Sequence, residues 1–405
     1  MKILLAHPGT QHAPKSAIEL HNRGILMNYH TGILFGKDSI YFKILRHLPN
    51  KVWKLLSNRF IDLPDNLIKR HIYIEVNSLL KIKYGHKNSE LSIYYNRNKS
   101  FQKSIPKKDI IKCSAIIGFD TSSWILIERA RFYNKRFYLE VTSIHSKSKK
   151  EIYSIIQEQF PDWENEIKQK PEYLVEIEEK ELINSDYIII ASSFSKNTLI
   201  ENNIPSNKII HNPYGVELNE FQPIDKPNLE QNVNFVFLGR VDNPNKGIPL
   251  LLKAWKNFKD SKSHLTLIGQ INPQLREFIL SKYNNITILG VIPYKQVKNL
   301  LPQYDVMVFP SYFEGFGLVI LQAMASGLPV ITTKSTCGPD IIENGIDGFV
   351  INTGDELFLK EKILYFINNK DEIKIIGNNA RKKALNFSWK SYGDRWFEIL
   401  NNMKN

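Results

Sequence analysis

Short apolar runs alternate with amphipathic stretches along the second half of the chain, from residue 232 onward. The runs have the length of strands and the stretches between them have helical spacing, which predicts alternating strands and helices. The predicted strands lie at residues 234–238, 264–268, 286–289, 305–309, 329–332 and 348–351. The predicted helices lie at residues 247–258, 273–283, 295–301 and 318–326. This alternation is typical of a doubly wound parallel sheet, in which ligands bind at the carboxyl ends of the strands.

The first half of the chain has a less regular pattern. The predicted strands there lie at residues 2–6, 115–119, 137–140 and 187–191, with a helix at residues 16–23. Residues 208–227 are rich in proline and glycine and are the predicted linker. Because 405 residues fit two domains of ordinary size, we predict domains at residues 1–213 and 214–387.

The strongest local signal is the segment FPSYFEGFGLVILQAMASG, which predicts a strand, a glycine-rich loop and a helix. Glu314 lies just before this helix, in a loop that contains Gly315 and Gly317. The unpaired N–H groups of Phe316, Gly317 and Leu318, together with the helix dipole, can hold a phosphate. The two glycines allow a ligand to approach the backbone closely, which a carboxylate that only caps a helix does not require.

A second loop carries two cations. Arg240 follows Gly239 at the end of the predicted strand 234–238, and Lys246 precedes the next predicted helix. Fixed cations at such a place stabilise the negative charge that develops on a leaving diphosphate. Taken alone, either cation is equally consistent with an ordinary surface charge. Two loops at the ends of two strands nevertheless point to the same kind of ligand.

The segment EGFGLV, which begins at Glu314, resembles the donor loop of the retaining glycosyltransferases of family 4. The likeness is strong from about residue 188 to residue 348 and includes the PYGV segment at 213–216. It implies an α/β protein of GT-B architecture, with two Rossmann-like domains, an inter-domain cleft and a last helix, at 388–405, that returns to the N-terminal domain. It also implies a hexosyltransferase that moves a hexosyl unit, with retention, from a nucleotide-diphosphate sugar to a glycan or a lipid-linked surface polysaccharide acceptor. A sugar-nucleotide epimerase of the same architecture, which needs no acceptor, stays open as an alternative.

The resemblance also implies roles for single residues. Arg240 and Lys246 would hold the leaving diphosphate, and Glu314 would orient the hexose. The remaining donor-binding candidates in the C-terminal half are Gly239, Gly315, Phe316, Gly317, Leu318 and Gln322. The family usually has a second glutamate, which contacts the ribose, at the position of Gln322. A glutamine amide can still bond a ribose, so we expect altered donor binding, and a relative that binds nucleotide without turnover stays open.

The N-terminal half contributes further candidates. Gly9 follows the first predicted strand, where related enzymes place a glycine loop facing the donor phosphate; a plain turn is the alternative. His145 follows the predicted strand 137–140, where some relatives place a catalytic residue that touches the donor sugar; a structural histidine is the alternative. His7 and His12 have a spacing that could bind a metal, but no carboxylate or cysteine lies near them in sequence. Because no Asp-x-Asp motif follows a predicted strand either, we expect no cofactor and no divalent metal.

Composition narrows the class of protein. Hydrophobic residues make up 42% of the chain, which supports a globular protein. The two cysteines, Cys113 and Cys337, are too few for a disulfide framework and favour the reducing cytoplasm. The apolar run at residues 1–6 is too short for a signal peptide, and no run reaches the roughly 18 residues that cross a bilayer. We therefore expect a cytoplasmic protein.

The net charge of +13 is concentrated in one segment. Residues 42–108 contain 15 lysines and arginines against four aspartates and glutamates. Within them, residues 52–60 alternate aromatic and aliphatic side chains with cations, as interfacial helices on anionic lipid do. The segment predicts peripheral contact with the cytoplasmic face of the inner membrane, with a solvated basic face as the alternative. We expect no nucleic-acid partner, because no nucleic-acid-binding motif accompanies the charge.

Overall fold

Two parallel β-sheets, one in each half of the chain, organise the fold. The computed structural model describes residues 1–9, 11–47, 57–84, 90–167, 170–225, 232–258 and 263–402. Within these residues, no helix is both long enough and apolar enough to span a membrane.

The N-terminal half contains a seven-stranded sheet. The strands of this half are β1 (Ile3–Ala6), β2 (Leu26–Thr31), β3 (Phe35–Gly36), β4 (Phe60–Ile61), β5 (Ile68–Arg70), β6 (Ala115–Phe119), β7 (Arg136–Val141), β8 (Tyr187–Ile190) and β9 (Ile209–His211). The sheet order is β5-β2-β1-β6-β7-β8-β9, and β3 and β4 form a separate pair. The helices are α1 (Ala13–Asn22), α2 (Ile40–Leu45), α3 (Ile72–Tyr84), α4 (Glu90–Ser104), α5 (Lys107–Lys112), α6 (Trp124–Phe132), α7 (Ser146–Gln159), α8 (Glu172–Asn184) and α9 (Ser193–Glu201).

The C-terminal half contains a six-stranded sheet. Its strands are β10 (Val233–Leu238), β11 (Ser263–Ile268), β12 (Ile286–Gly290), β13 (Val306–Phe309), β14 (Val330–Thr333) and β15 (Phe349–Ile351), in the order β12-β11-β10-β13-β14-β15. The helices are α10 (Ile248–Trp255), α11 (Pro273–Lys282), α12 (Tyr294–Leu300), α13 (Leu318–Ala325), α14 (Gly338–Ile341), α15 (Glu356–Asn368), α16 (Lys370–Ala384) and α17 (Trp389–Asn402). The strand order reverses between β10 and β13, so a crevice opens at their carboxyl ends.

Burial of both sheet faces explains the apolar runs that predicted the strands. Every residue of β1, β6, β13 and β14 is buried, as expected of parallel strands that helices cover on both sides. The predicted parallel α/β fold is therefore confirmed.

Helix α17 returns to the N-terminal half and packs on α1. The Tyr392 hydroxyl lies 2.8 Å from Ser16 Oγ, and Arg23 Nη2 donates to Asp394 Oδ1 at 2.6 Å. Arg395 Nε donates to Asn212 Oδ1 at 2.8 Å. The last described helix thereby closes the N-terminal half, and the domain boundary predicted after residue 213 lies between the two sheets.

The start of α6 is held by a buried carboxylate. Glu181 accepts hydrogen bonds from the backbone N–H groups of Thr121, Ser123 and Trp124, at 2.6, 2.6 and 3.0 Å. Burial raises the pKa of Glu181 well above its usual value. Its three bonds satisfy amides that the start of a helix leaves without an intrahelical partner.

The linker predicted at 208–227 differs in the structure. Its first residues form β9, where Ile209 and Ile210 pair with Ile188 and Ile189 of β8. β-Branched apolar side chains suit a buried strand better than a linker, so the turn-forming residues begin to act only at Pro213.

Candidate active site

A cleft between the two halves lies at the carboxyl ends of β10 and β13. Its volume is about 410 Å³, which is in the usual range for sites that bind small molecules. The C-terminal half lines it with Leu238, Gly239, Lys246, Phe309, Glu314, Gly315, Phe316, Gly317, Leu318 and Val319. The N-terminal half lines it with Gln11, His12, Thr142 and Tyr214.

The glycine-rich loop before α13 has the conformation that its sequence predicts. Gly317 has a φ of +92°, which an L side chain adopts only with strain, and it is followed at once by the helix. No side chain of the described residues caps this helix start. The first N–H groups of α13 are therefore free of a capping side chain beside the cleft, as an anion site requires.

Lys246 and Glu314 meet in this cleft. Lys246 Nζ lies 2.5 Å from Glu314 Oε1, and Ser311 Oγ donates to the same carboxylate oxygen at 3.0 Å. Lys246 ends the turn Pro244–Lys246 after β10, and Glu314 follows β13, so neighbouring strand ends bring them together. A phosphate that takes up Lys246 would compete with this ion pair and free Glu314 to accept bonds from hydroxyl groups.

Arg240 follows Gly239, which lines the cleft, but does not itself belong to the described lining. Its side chain is 54% exposed, and its Nε donates to Asp242 Oδ1 at 3.1 Å. Tyr153 of α7 interacts electrostatically with both Arg240 and Glu314, while burial raises its pKa. The Tyr153 ring meets Phe313 edge-on at 5.4 Å. Sequence reasoning missed Tyr153, because nothing in α7 marks it as part of a site formed by the other half.

Gly315 is pressed against the N-terminal half. A Cβ atom on this residue would lie 2.0 Å from the carbonyl oxygen of Thr142. The carbonyl oxygen of Gly315 accepts bonds from the hydroxyls of Ser192, at 2.7 Å, and Ser195, at 3.1 Å. Only glycine fits here without movement of the backbone of either half.

Gln322 lies on α13 but does not belong to the described lining of the cleft. Its side chain shares a hydrogen bond with Tyr294, which lowers the pKa of that phenol, while burial, the larger effect, raises it to about 12. Glu217 and Glu220 also act on Tyr294. The amide that replaces the expected carboxylate is thus engaged by a tyrosine, and its contact with a ribose stays a prediction.

Gly9 and His145 do not belong to the described lining of this cleft. The Gly9 N–H donates to His7 Nδ1 at 3.1 Å, and burial lowers the pKa of His7 to about 3. His145 caps α7, and its Nε2 lies 3.1 Å from Glu179 Oε1 beside a separate small cavity. No hydrogen bond or ion pair within the described residues joins either residue to Glu314, and their predicted roles stay predictions.

His12 does line the cleft. Its Nε2 lies 2.5 Å from Glu140 Oε1, and both side chains are nearly buried. No three His, Cys, Asp or Glu side chains of the described residues are arranged to hold a metal ion. Glu140 was not a candidate, although a carboxylate at the end of a buried strand was an available signal.

Comparisons with known proteins agree with this geometry. Residues 232–369 match the family model "Glycosyl transferases group 1". A capsular polysaccharide biosynthesis glycosyltransferase of Staphylococcus aureus is 32% identical over 220 residues, which are 50% of this chain and 57% of that protein. An uncharacterized glycosyltransferase of Methanocaldococcus jannaschii is 30% identical over 207 residues, 51% of this chain and 56% of that protein. The chain thus spans little more than half the length of these two curated relatives.

Solved structures resemble the whole chain. Sucrose-phosphate synthase from Thermosynechococcus elongatus has a TM-score of 0.67 at 17% identity, covering 100% of this chain and 99% of that one. An Anabaena protein crystallised with UDP-glucose has a TM-score of 0.63 at 15% identity, covering 100% of both chains. The chain has the GT-B fold of these neighbours, and over residues 232–369 it is similar to the glycosyl transferases group 1.

Proposed function

We propose that the chain is a retaining glycosyltransferase of family 4. It transfers a hexosyl unit from a nucleotide-diphosphate sugar to a glycan or a lipid-linked acceptor of surface polysaccharide synthesis. The observation that carries this proposal is the meeting of Lys246 and Glu314, 2.5 Å apart, beside the uncapped start of α13. One cation for a phosphate and one carboxylate for sugar hydroxyls then share a cleft of suitable size.

The roles follow from charge and position. The diphosphate is held by Lys246, by the free amides at the start of α13 and by Arg240, which follows the cleft residue Gly239. These groups stabilise the charge that the diphosphate gains as it leaves. Glu314 accepts hydrogen bonds from the hexose. The Anabaena protein of the same fold was crystallised with UDP-glucose, which makes UDP-sugars the first donors to test. The capsular polysaccharide relative supports a glycan acceptor.

Front-face attack with retention suits this cleft. Glu314 is the one carboxylate among the described residues that line it, and in this proposal it bonds the hydroxyl groups of the hexose. The acceptor oxygen bonds to the anomeric carbon as the bond from that carbon to the phosphate oxygen breaks, and the electron pair stays on the diphosphate. The departing phosphate oxygen takes the acceptor proton, so no protein nucleophile is needed. Because Lys246 and Arg240 supply positive charge, we also propose that transfer needs no divalent metal, and full activity in EDTA would support this.

Donor binding can be tested by thermal stabilisation. The wild-type protein is heated with UDP, GDP or ADP and with a sugar conjugate of each, since a ligand at 100 times its Kd stabilises the folded state by about 2.7 kcal/mol. One nucleotide should raise Tm, and Lys246→Met should abolish the rise. Lys253→Met is the matched control, because Lys253 pairs with Glu356 at 2.8 Å and does not line the cleft. A rise that survives in Lys246→Met, or that is absent from the wild type, would contradict the proposed donor site.

Turnover separates the proposal from its alternatives. Arg240→Ala and Glu314→Ala should each abolish most transfer with the fold intact. The anomeric configuration of the product, read by NMR, tests retention. Conversion of the donor sugar without acceptor would instead indicate an epimerase. Binding without turnover, and without any gain in Gln322→Glu, would indicate a relative that only binds nucleotide sugar.

Helix α3 supports the predicted contact with a membrane. Tyr73, Leu80 and Tyr84 are 81%, 51% and 63% exposed, and with Val76 they recur at helical spacing on its outer face. The inner face carries the buried Glu75, which pairs with Arg59. A helix with its apolar stripe outward is the reverse of an ordinary surface helix and marks an interaction surface.

We propose that this outer face of α3 contacts an anionic membrane. Lys81 and Lys83 lie on the same helix, within the segment 42–108 that carries most of the excess positive charge. Cations beside an apolar stripe complement anionic headgroups above acyl chains. Of the interfacial segment predicted at 52–60, residues 52–56 lie outside the described residues.

Vesicle flotation tests the membrane contact. The protein should float with vesicles of phosphatidylcholine and phosphatidylglycerol and less with phosphatidylcholine alone. Tyr73→Ser combined with Leu80→Ser should reduce flotation several-fold. Leu357→Ser is the control, because Leu357 is 76% exposed in the C-terminal half. Equal flotation with both lipids, or no difference between the variants, would contradict the contact.

A further inference from the structure

A buried chain of hydrogen bonds orients His12 in the cleft. The Tyr392 hydroxyl lies 3.0 Å from Glu140 Oε1 and 3.2 Å from Oε2, and His12 Nε2 lies 2.5 Å from Oε1. Ser16 Oγ lies 2.8 Å from the Tyr392 hydroxyl. His12 directly precedes α1, Ser16 lies in it, and Glu140 and Tyr392 come from β7 and α17. The fold of the whole N-terminal half therefore sets the position of the histidine ring.

The donor and the acceptor of each hydrogen bond in this series can be assigned. Burial and the neighbouring Glu140 raise the pKa of Tyr392 well above its usual value, so the phenol keeps its proton and donates it to Glu140. Ser16 in turn donates to Tyr392. Glu140 therefore acts as an acceptor toward both partners, which places the ring hydrogen of His12 on Nε2. In a neutral imidazole the other nitrogen, Nδ1, is then a hydrogen-bond acceptor.

Nδ1 of His12 is available to a ligand. Within the described residues His12 makes its side-chain hydrogen bond through Nε2, and its side chain does not cap the start of α1. The ring lies 4.2 Å from that of Tyr214 and is stacked at 6.5 Å on that of Trp389, which restricts its rotation. His12 and Glu314 line the same cleft from opposite halves of the protein.

We propose that His12 is a substrate-contacting residue whose Nδ1 accepts a hydrogen bond from a hydroxyl group of the donor hexose. Glu140 and Tyr392 are positioning residues, because they act only through the His12 ring. This inference rests on the proposed function and adds to it the group of the N-terminal half that reads the sugar. The nucleotide portion of the donor stays with Lys246 and α13, so His12 should affect the sugar conjugate and leave the free nucleotide unaffected.

The test compares a nucleotide with its sugar conjugate in the wild type, three His12 variants and Glu140→Ala. UDP and UDP-glucose, GDP and GDP-mannose, and ADP and ADP-glucose are screened by thermal shift on the wild type. The pair with the largest shift is then titrated into His12→Ala, His12→Gln and His12→Asn. An asparagine amide lies near the position of Nδ1, whereas a glutamine amide lies near that of Nε2. The Tm without ligand and the circular dichroism spectrum report the fold of each variant.

The expected result is a selective loss. His12→Ala and His12→Gln should bind the free nucleotide as the wild type does but the sugar conjugate about tenfold more weakly, from the loss of one hydrogen bond. His12→Asn should recover part of the difference. Glu140→Ala, which frees the ring to take either tautomer, should show a smaller loss of the same kind.

Three results would overturn the inference. The first is that the sugar conjugate stabilises the wild type no more than the free nucleotide does. The protein then makes no contact with the sugar, and His12 has no such role. Equal binding of the conjugate by His12→Ala and the wild type, even with transfer lost, would move His12 to the acceptor. The absence of a shift with every nucleotide and conjugate in the wild type would remove the proposed function itself, and this inference with it.

Discussion

Gly315→Ala tests whether the two halves touch in solution as they do here. The new Cβ would lie 2.0 Å from the carbonyl oxygen and 2.7 Å from the carbonyl carbon of Thr142. Real Cβ atoms essentially never come within 3.0 Å of another heavy atom, so one backbone must move by about 1 Å. That movement would pull the Gly315 carbonyl away from the hydroxyls of Ser192 and Ser195.

The expected loss of stability follows from those contacts. Two buried hydrogen bonds at about 1 kcal/mol each give about 2 kcal/mol, a factor of about 30 in the folding equilibrium. For a domain of about 200 residues this lowers Tm by about 4 °C or more. Because Glu314 precedes the displaced residue, the shift in Tm with the nucleotide sugar should also shrink.

Differential scanning fluorimetry, with and without the nucleotide sugar, measures both effects. Gly345→Ala is the matched control, because Gly345 has a φ of +85° but no heavy atom within 4 Å of the added Cβ. This variant should lose only the free energy of its backbone strain, about 1 kcal/mol, and should bind the nucleotide sugar as the wild type does. If Gly315→Ala melts and binds like the wild type, the contact with Thr142 does not exist in solution and the reasoning is refuted.

Three further predictions concern buried ionisable groups. Glu181→Ala, which strips acceptors from three backbone N–H groups, should cost about 3 kcal/mol in urea denaturation, whereas Glu181→Gln should keep most of the stability. Burial raises the pKa of Asp120 from 3.8 to about 6, so the folded state favours the protonated acid, and stability present below pH 3.8 is lost as the pH rises through about 6. Asp120→Asn should therefore flatten the pH dependence of Tm and gain up to about 3 kcal/mol over the wild type at pH 8; an unchanged profile would contradict this. Burial raises the pKa of Cys113 to about 11 and that of Cys337 well above its usual value, so neither thiol should react with a thiol reagent at pH 8 until the protein is denatured.

The fold of the C-terminal half could be read from the sequence, but part of the N-terminal sheet could not. Strand β13 (VMVF) is apolar and buried throughout and β10 (VNFVFL) is largely so, because helices cover both faces of the sheet there. Strand β2, with the sequence LMNYHT, carries polar residues in the interior of its sheet, so its pattern does not show burial. Strand β5 is three residues long and lies within the basic segment. Helix α3 turns its apolar stripe outward, so periodicity marks it as amphipathic but assigns the wrong face to the core.

The site likewise contains residues that the sequence could place together and residues that it could not. Lys246 and Glu314 each follow a strand of one sheet, so adjacent strand ends place them together without any knowledge of the other half. His12, Glu140 and Tyr392 are separated by more than one hundred residues from one another. No local pattern joins them, because their contact depends on the return of α17 to the first sheet.

That return also sets an order of events during synthesis. The first sheet is complete once β9 leaves the ribosome, yet the Tyr392 that buttresses Glu140 is made only after the entire second sheet. Chains fold from the N-terminus as they emerge, so the growing chain would hold His12 and Glu140 without their last partner while the second half is made. In this interval the surface that α17 will cover, around Ser16 and Arg23, is open to chaperones or to the wrong partner. Assembly of the cleft is therefore deferred until α17 has been made, after both sheets.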